Sequence, residues 1–242
     1  MSQHGFESGV MWNTYLEMES RFLEYLDYVP FASAHRKVYS SKLLRLMLQI
    51  GGYIDTAFKE MVFYEKLDTN EACRNMRKKV LKNKTVTIDE SLAAFEPIYR
   101  LSQRTVLVKS VEHFTSPPLL LERFAPFADY REHKIPTWWS AYNAVKHNMV
   151  KNIKKANVEN TMMALGGAFL LNAIYEPSVI CLVKSGEAKV GRMIRSGVHR
   201  FYKHDTTIDW DLIRKIITDH LLKKNEYVNL QTRFFMKQYH QN

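Results

Sequence analysis

The chain is poor in the residue types that staple, turn or embed a fold. Only two cysteines, Cys73 and Cys181, occur in 242 residues, and neither has a metal-ligand pattern beside it. Two ordinary thiols in a reducing compartment fit better than a disulfide scaffold. Glycine (9) and proline (7) are sparse, which disfavours a turn-rich β fold and leaves helices as the expected elements. Gly-rich phosphate loops, His-Glu-x-x-His zinc signatures and nucleophile elbows are all missing, so neither a metal nor a cofactor is expected. The longest strongly apolar run, 162–171, is shorter than the ~20 residues a bilayer span needs, so no membrane partner is expected. The opening residues Ser2-Gln3-His4-Gly5 show no basic-then-apolar leader, and the expected location is cytoplasmic.

What the sequence does have is apolar material and positive charge. Hydrophobic residues make up 46% of the chain, enough for one sizeable core, and the net charge is +10. An excess of that size draws polyanions and makes their binding salt-dependent, which points first to nucleic acid. The alternatives are a solubility charge or an acidic protein partner. Arg74, Arg77, Lys78, Lys79, Lys82 and Lys84 crowd the stretch 68–84, either as a solvated helix face or as a phosphate-tracking patch. Lys78, Lys79 and Lys82 here, with Lys151, Lys154 and Lys155 further on, are the candidate nucleic-acid contacts.

Apolar spacing predicts helices over 11–28, 41–64, 89–101, 137–156, 158–175 and 209–224. Ser40 or Ser41 starts the second, and Asn157 is a cap for the helix at 158. Gly51-Gly52 inside the second helix costs roughly 1 kcal/mol per glycine, which implies another element coming close. Asp55 and Lys59 form a candidate supporting pair four residues apart. The segment 105–111 alternates like a short strand, and 115–135 reads as an irregular connection. The expected architecture is all-α, a helical bundle over 1–180, with a C-terminal extension at 181–242 carrying the amphipathic helix 209–224.

The helix from Pro136 is the most informative. At 100° per residue, Trp138, Tyr142, Val145, Met149, Ile153 and Ala156 fall on one core-facing stripe. Trp139, Asn143, His147, Val150 and Lys154 form a second, mixed stripe, with Lys146 between the two. The helix after it is apolar on nearly every side, and Ala164, Gly166, Gly167 and Ala168 let neighbours approach its axis, as at the centre of a bundle.

The string Trp138-Trp139-x-x-Tyr142-Asn143-x-x-Lys146-His147-Asn148, followed by that apolar helix, resembles HEPN-like proteins of bacterial defence and RNA metabolism. Tyr39-Ser40-Ser41 leading into Leu44, Ile50, Ile54-Asp55 and Lys59 is similar to the second helix of uncharacterised HEPN-like families, and the resemblance covers roughly 12–176. It implies a helical bundle that dimerises or joins other chains through the His147 face. In active members an Arg and a His, four to six residues apart, cleave RNA without a metal by way of the ribose 2′-hydroxyl. The string Tyr142-Asn143-Ala144-Val145-Lys146-His147 keeps the asparagine and the histidine of the usual Arg-Asn-x-x-x-His form and replaces the arginine with tyrosine. On this resemblance the catalytic candidates are His147 as base, Asn143, and Lys146 as the cation. Histidine suits proton removal near neutral pH, whereas lysine is a point charge without arginine's fork. Two main functions are open: a metal-independent endoribonuclease of a prokaryotic defence or stress system, acting as a toxin or antiviral component, or a catalytically degenerate RNA-binding or adaptor subunit of a larger complex; a nucleotide sensor is a weaker third. His147 can equally be a structural histidine tied to Asn143 or to a backbone carbonyl.

Overall fold

A computed structural model of the protein describes residues 4–63, 70–110 and 120–175; for 4–8, 107–110 and 120–123 it gives the course of the backbone alone. The expected helix 209–224, the extension 181–242 and Cys181 lie outside the described residues.

The helices are α1 (His4–Leu26), α2 (Ser41–Met61), α3 (Glu71–Leu81) and α4 (Ile88–Tyr99), then α5 (Thr137–His147), α6 (Met149–Asn152) and α7 (Val158–Ile174). Between α4 and α5 a two-stranded antiparallel hairpin is formed by β1 (Val106–Ser110) and β2 (Leu120–Phe124), with Val106 opposite Phe124. Among the described residues the fold is all-α apart from this hairpin. The strand expected over 105–111 is β1. The stretch 115–135 is not irregular throughout: it supplies β2 and a 3₁₀ turn, Ala128–Glu132. The first helix starts earlier than the apolar spacing indicated, at His4, and ends at Leu26. The second ends at Met61 rather than 64.

Local chemistry sets the helix ends. Ser40 accepts from the Leu43 amide at 3.1 Å, and Asn70 and Asn157 cap α3 and α7 in the same way. At α4, Thr87 and Glu90 exchange hydrogen bonds as a capping box. Arg100, left-handed at φ 50°, ends that helix.

Helices α2 and α7 pack against each other, and α1 and α5 each pack on both of them. Helix α3 pairs with α4, and the bundle meets α4 through the edge-on rings of Phe58 and Phe95, 5.1 Å apart. Helix α7 is buried along nearly its whole length, which agrees with its lack of a polar face. Its glycines sit where neighbours press in. A Cβ on Gly166 would lie 3.1 Å from Val106 and 3.2 Å from Pro126, and one on Gly167 would lie 3.2 Å from Phe127 and 3.3 Å from Trp138. One polar clamp joins three helices: Asn172 of α7 donates to the Tyr53 hydroxyl of α2 at 2.6 Å, and that hydroxyl donates to the Met11 carbonyl of α1 at 3.2 Å. Burial pushes the Tyr53 phenol well above its ordinary pKa, with the Asn172 bond pulling the other way. Cys73 is a buried thiol that donates to the Ala94 carbonyl.

Candidate functional site

The first half of α5 is built for rigidity. Pro136 occupies its N-cap, and Asp129 accepts from both the amide (2.7 Å) and the hydroxyl (2.9 Å) of Thr137. Trp138 is 1% exposed; its indole donates to the Pro126 carbonyl at 2.6 Å and its ring meets Phe127 edge-on at 5.8 Å. Trp139 and Tyr142 are buried too, with ring centroids 4.9 Å apart. Tyr142 lies directly on α2: a Cβ at Gly51 would overlap its ring. This is the close approach that the Gly51-Gly52 pair implied, and it belongs to Gly51 alone, since a Cβ at Gly52 would meet nothing within 4 Å. The tyrosine that replaces the motif arginine is therefore a packing residue, and none of these three rings is available to stack on a base.

The second half faces water. Asn143 is half-buried, while Lys146 and His147 are exposed. Asn143 and His147 are one helical turn apart, so they share a face. Among the described residues neither side chain has a hydrogen-bond partner, and the two are not joined to each other. Lys146 projects back over the Tyr142 ring, with its ammonium 5.6 Å from the centroid. The three catalytic candidates thus lie in the last five residues of one helix, with Lys146 turned toward Tyr142 rather than His147 and no arginine among them.

Beyond His147 the expected helix 137–156 breaks. Asn148 is extended (φ −151°, ψ 87°), its side chain accepts from the Lys151 amide at 3.0 Å, and the short α6 begins there. Asn152 closes the break by donating to the Ala144 and Asn148 carbonyls at 2.9 and 3.0 Å. Asparagine side chains compete with the backbone for its own hydrogen bonds, which is the physical reason the apolar period does not run on. Both stripes are corrected accordingly. Met149, expected in the core, is 51% exposed, and Val150 is 85% exposed. Lys154 lies in a 3₁₀ turn, Ile153–Lys155, outside the face shared by Trp139, Asn143 and His147.

The lysine candidates divide. Lys151, Lys154 and Lys155 are exposed, as are Lys78 and Lys82. Lys79 is not a free phosphate contact, because it is paired with Glu90. That hydrogen bond, with the Thr87 amide, holds the Glu90 carboxyl below the usual range. Arg77 bonds the Val62 carbonyl at 2.8 and 3.1 Å. The first basic stretch is partly internal wiring. Asp55 and Lys59 pair at 2.5 Å within α2, with both side chains part-exposed, and no described hydrogen bond links them to His147.

A second acid-free basic run lies in the sequence around α5. From His133 to Val158 there is no aspartate or glutamate, while Lys134, Lys146, Lys151, Lys154 and Lys155 all fall within it. The acid that ends the run, Glu159, is taken up by Lys37 at 2.5 Å and Arg36 at 3.8 Å. Counting charges along the sequence does not rank it above the first stretch, since 72–88 is also free of acids and carries six Lys and Arg; what separates the two is that Lys79 and Arg77 are taken up by Glu90 and the Val62 carbonyl.

A surface cleft of about 270 Å³ opens between α1 and α2, and none of the predicted site residues lines it. Of its charged residues, Arg21 is held by Glu17 and Gln49 and Lys42 by Glu24, while Arg45 donates to the Ser41 carbonyl at 3.3 Å. Among the described residues no cluster of three or more His, Cys, Asp or Glu is placed to hold a metal ion, and no helix is long and apolar enough to cross a membrane. No protein-family description, curated protein or solved structure matches the chain.

Proposed function

We propose that this is an RNA-directed protein of the HEPN-like kind that holds the sugar–phosphate backbone on the exposed segment 146–155. The observation that supports this reading is the acid-free run 133–158, which presents Lys146, His147, Lys151, Lys154 and Lys155 to solvent in one short stretch. Lysines that displace phosphate counterions make binding fall steeply with salt, by about one unit of slope per phosphate contact in duplexes and somewhat less in single strands. Replacing Lys151, Lys154 and Lys155 together with alanine is expected to weaken RNA binding and to flatten the slope of log K against log salt by roughly 2 to 3. Titration of a labelled RNA at several salt concentrations measures both, and a native chain that does not bind RNA at low salt would overturn the proposal.

A second reading, metal-independent endoribonuclease, draws on one observation: His147 is exposed, has no described partner and shares a face with Asn143. His147 would take the 2′-hydroxyl proton, with Lys146 or a neighbouring lysine steadying phosphate charge. A second copy or another chain of a defence or stress complex, docked on the His147 face, would close the site. Cleavage of RNA in EDTA by the native chain and not by His147→Ala supports this version. Equal cleavage by both leaves the RNA-binding or adaptor reading.

A further inference from the structure

We infer that Tyr39 is a stacking residue for unpaired RNA bases, acting beside Lys154 and Lys155. The inference rests on the RNA-directed reading and narrows the partner to single-stranded RNA. Tyr39 comes from the connection between α1 and α2, not from the basic segment, and the backbone alone fastens it there. It forms an antiparallel bridge with Asn157. The Val158 amide donates to the Val38 carbonyl at 2.9 Å, and the Glu159 amide donates to the Arg36 carbonyl at 3.0 Å. On the other side of the bridge, the Asn157 side chain donates to the Lys154 carbonyl at 3.3 Å, and the Asn160 side chain donates to the Lys155 carbonyl at 2.9 Å. The peptide bearing Tyr39 therefore runs alongside the end of the acid-free segment, joined to it by a short hydrogen-bonded seam.

Tyr15, Tyr25, Tyr99, Tyr130 and Tyr142 are all buried, and Tyr28, 80% exposed, has the Lys42 ammonium 6.0 Å from its ring centroid, whereas Tyr39 is 43% exposed. Among the described residues it has no ring stack, no overlying cation and no hydrogen bond to its hydroxyl. A ring on a fixed backbone has only two side-chain torsions to lose on stacking, so the entropy cost of ordering it is small. Charge complementarity decides the occupant. Lys37 and Arg36 neutralise Glu159, the nearest acid in sequence, which leaves Lys154 and Lys155 exposed without a described acidic partner. An uncommitted aromatic ring on a strand fastened next to the segment bearing two exposed lysines matches the alternation of base and phosphate along a single strand. A duplex keeps its base faces inside the helical stack and offers the ring nothing.

The test is fluorescence anisotropy of the full chain with a labelled oligouridylate and, separately, with a duplex RNA of equal length. Tyr39→Ala is expected to weaken single-strand binding about tenfold while leaving the salt slope unchanged, because no phosphate contact is removed. Tyr39→Phe is expected to bind as the native chain does, and duplex binding is expected to be the same for all three. Thermal melting checks that both variants are folded. Native-like oligouridylate binding by Tyr39→Ala overturns this inference and leaves the RNA-directed reading standing. Failure of the native chain to bind either RNA overturns both. Native-like RNA binding by Tyr39→Ala together with loss of a self-associated state would assign the ring to a second copy of the chain instead.

Discussion

Helix α5 and the segment that follows it place similar residues in opposite settings. Up to Val145 the aromatic and apolar side chains are clamped between α2 and α7: Trp138 bonds Pro126, and Tyr142 lies on Gly51. From Lys146 to Lys155 the apolar residues Met149 and Val150 stand in solvent among lysines. The first region gains stability by excluding water. The second gives up that gain and keeps its charges unpaired, as a surface that receives a polyanion requires. Asn148 is the boundary, because its side chain caps a new helix and so ends the old one.

The contrast breaks most readily at its buried side. Trp138→Ala removes a fully enclosed indole and leaves a cavity between Phe127 and Gly167; a loss of roughly 3–5 kcal/mol is expected, read from urea unfolding. If the loss were under about 1 kcal/mol, α5 would not be anchored as described. Gly51→Ala is next. The added methyl has nowhere to go unless the Tyr142 ring moves, so a loss of about 1–3 kcal/mol is expected, although alanine favours a helix by about 1 kcal/mol. Combining it with Tyr142→Val should recover part of the loss, which double-mutant analysis would register as coupling above about 0.5 kcal/mol. The smallest effect is expected on the exposed side. Val150→Ser and His147→Ala should each change stability by no more than about 0.5 kcal/mol, since nothing described packs on either side chain. A larger loss at Val150 would mean that a partner or another part of the chain covers it.

Much of the bundle was legible from the sequence because its cues are local. Ser40 and Asn157 announce helix starts through side-chain geometry that needs no tertiary contact. The apolar α7 announces burial because it has no polar face to offer water. The glycine pair announced a close approach, but not that Tyr142 makes it or that only Gly51 needs it. The period of α5 could not show its break, because Asn148 fits a helix in composition and leaves it by accepting hydrogen bonds from the Lys151 amide and the Asn152 side chain.

The candidate site divides in the same way. The sequence by itself placed Asn143 and His147 on one face of a helix, since that follows from the helical repeat, and it set the sign of the charge. Only the tertiary structure decided which cations are free. Lys79 loses its freedom to Glu90, eleven residues away, while Lys151, Lys154 and Lys155 stay in solvent. Only the tertiary structure brought Tyr39 beside that segment, across a bridge to Asn157. Helical spacing is fixed by the backbone period within a few residues, whereas pairing and burial depend on which distant segments fold against one another.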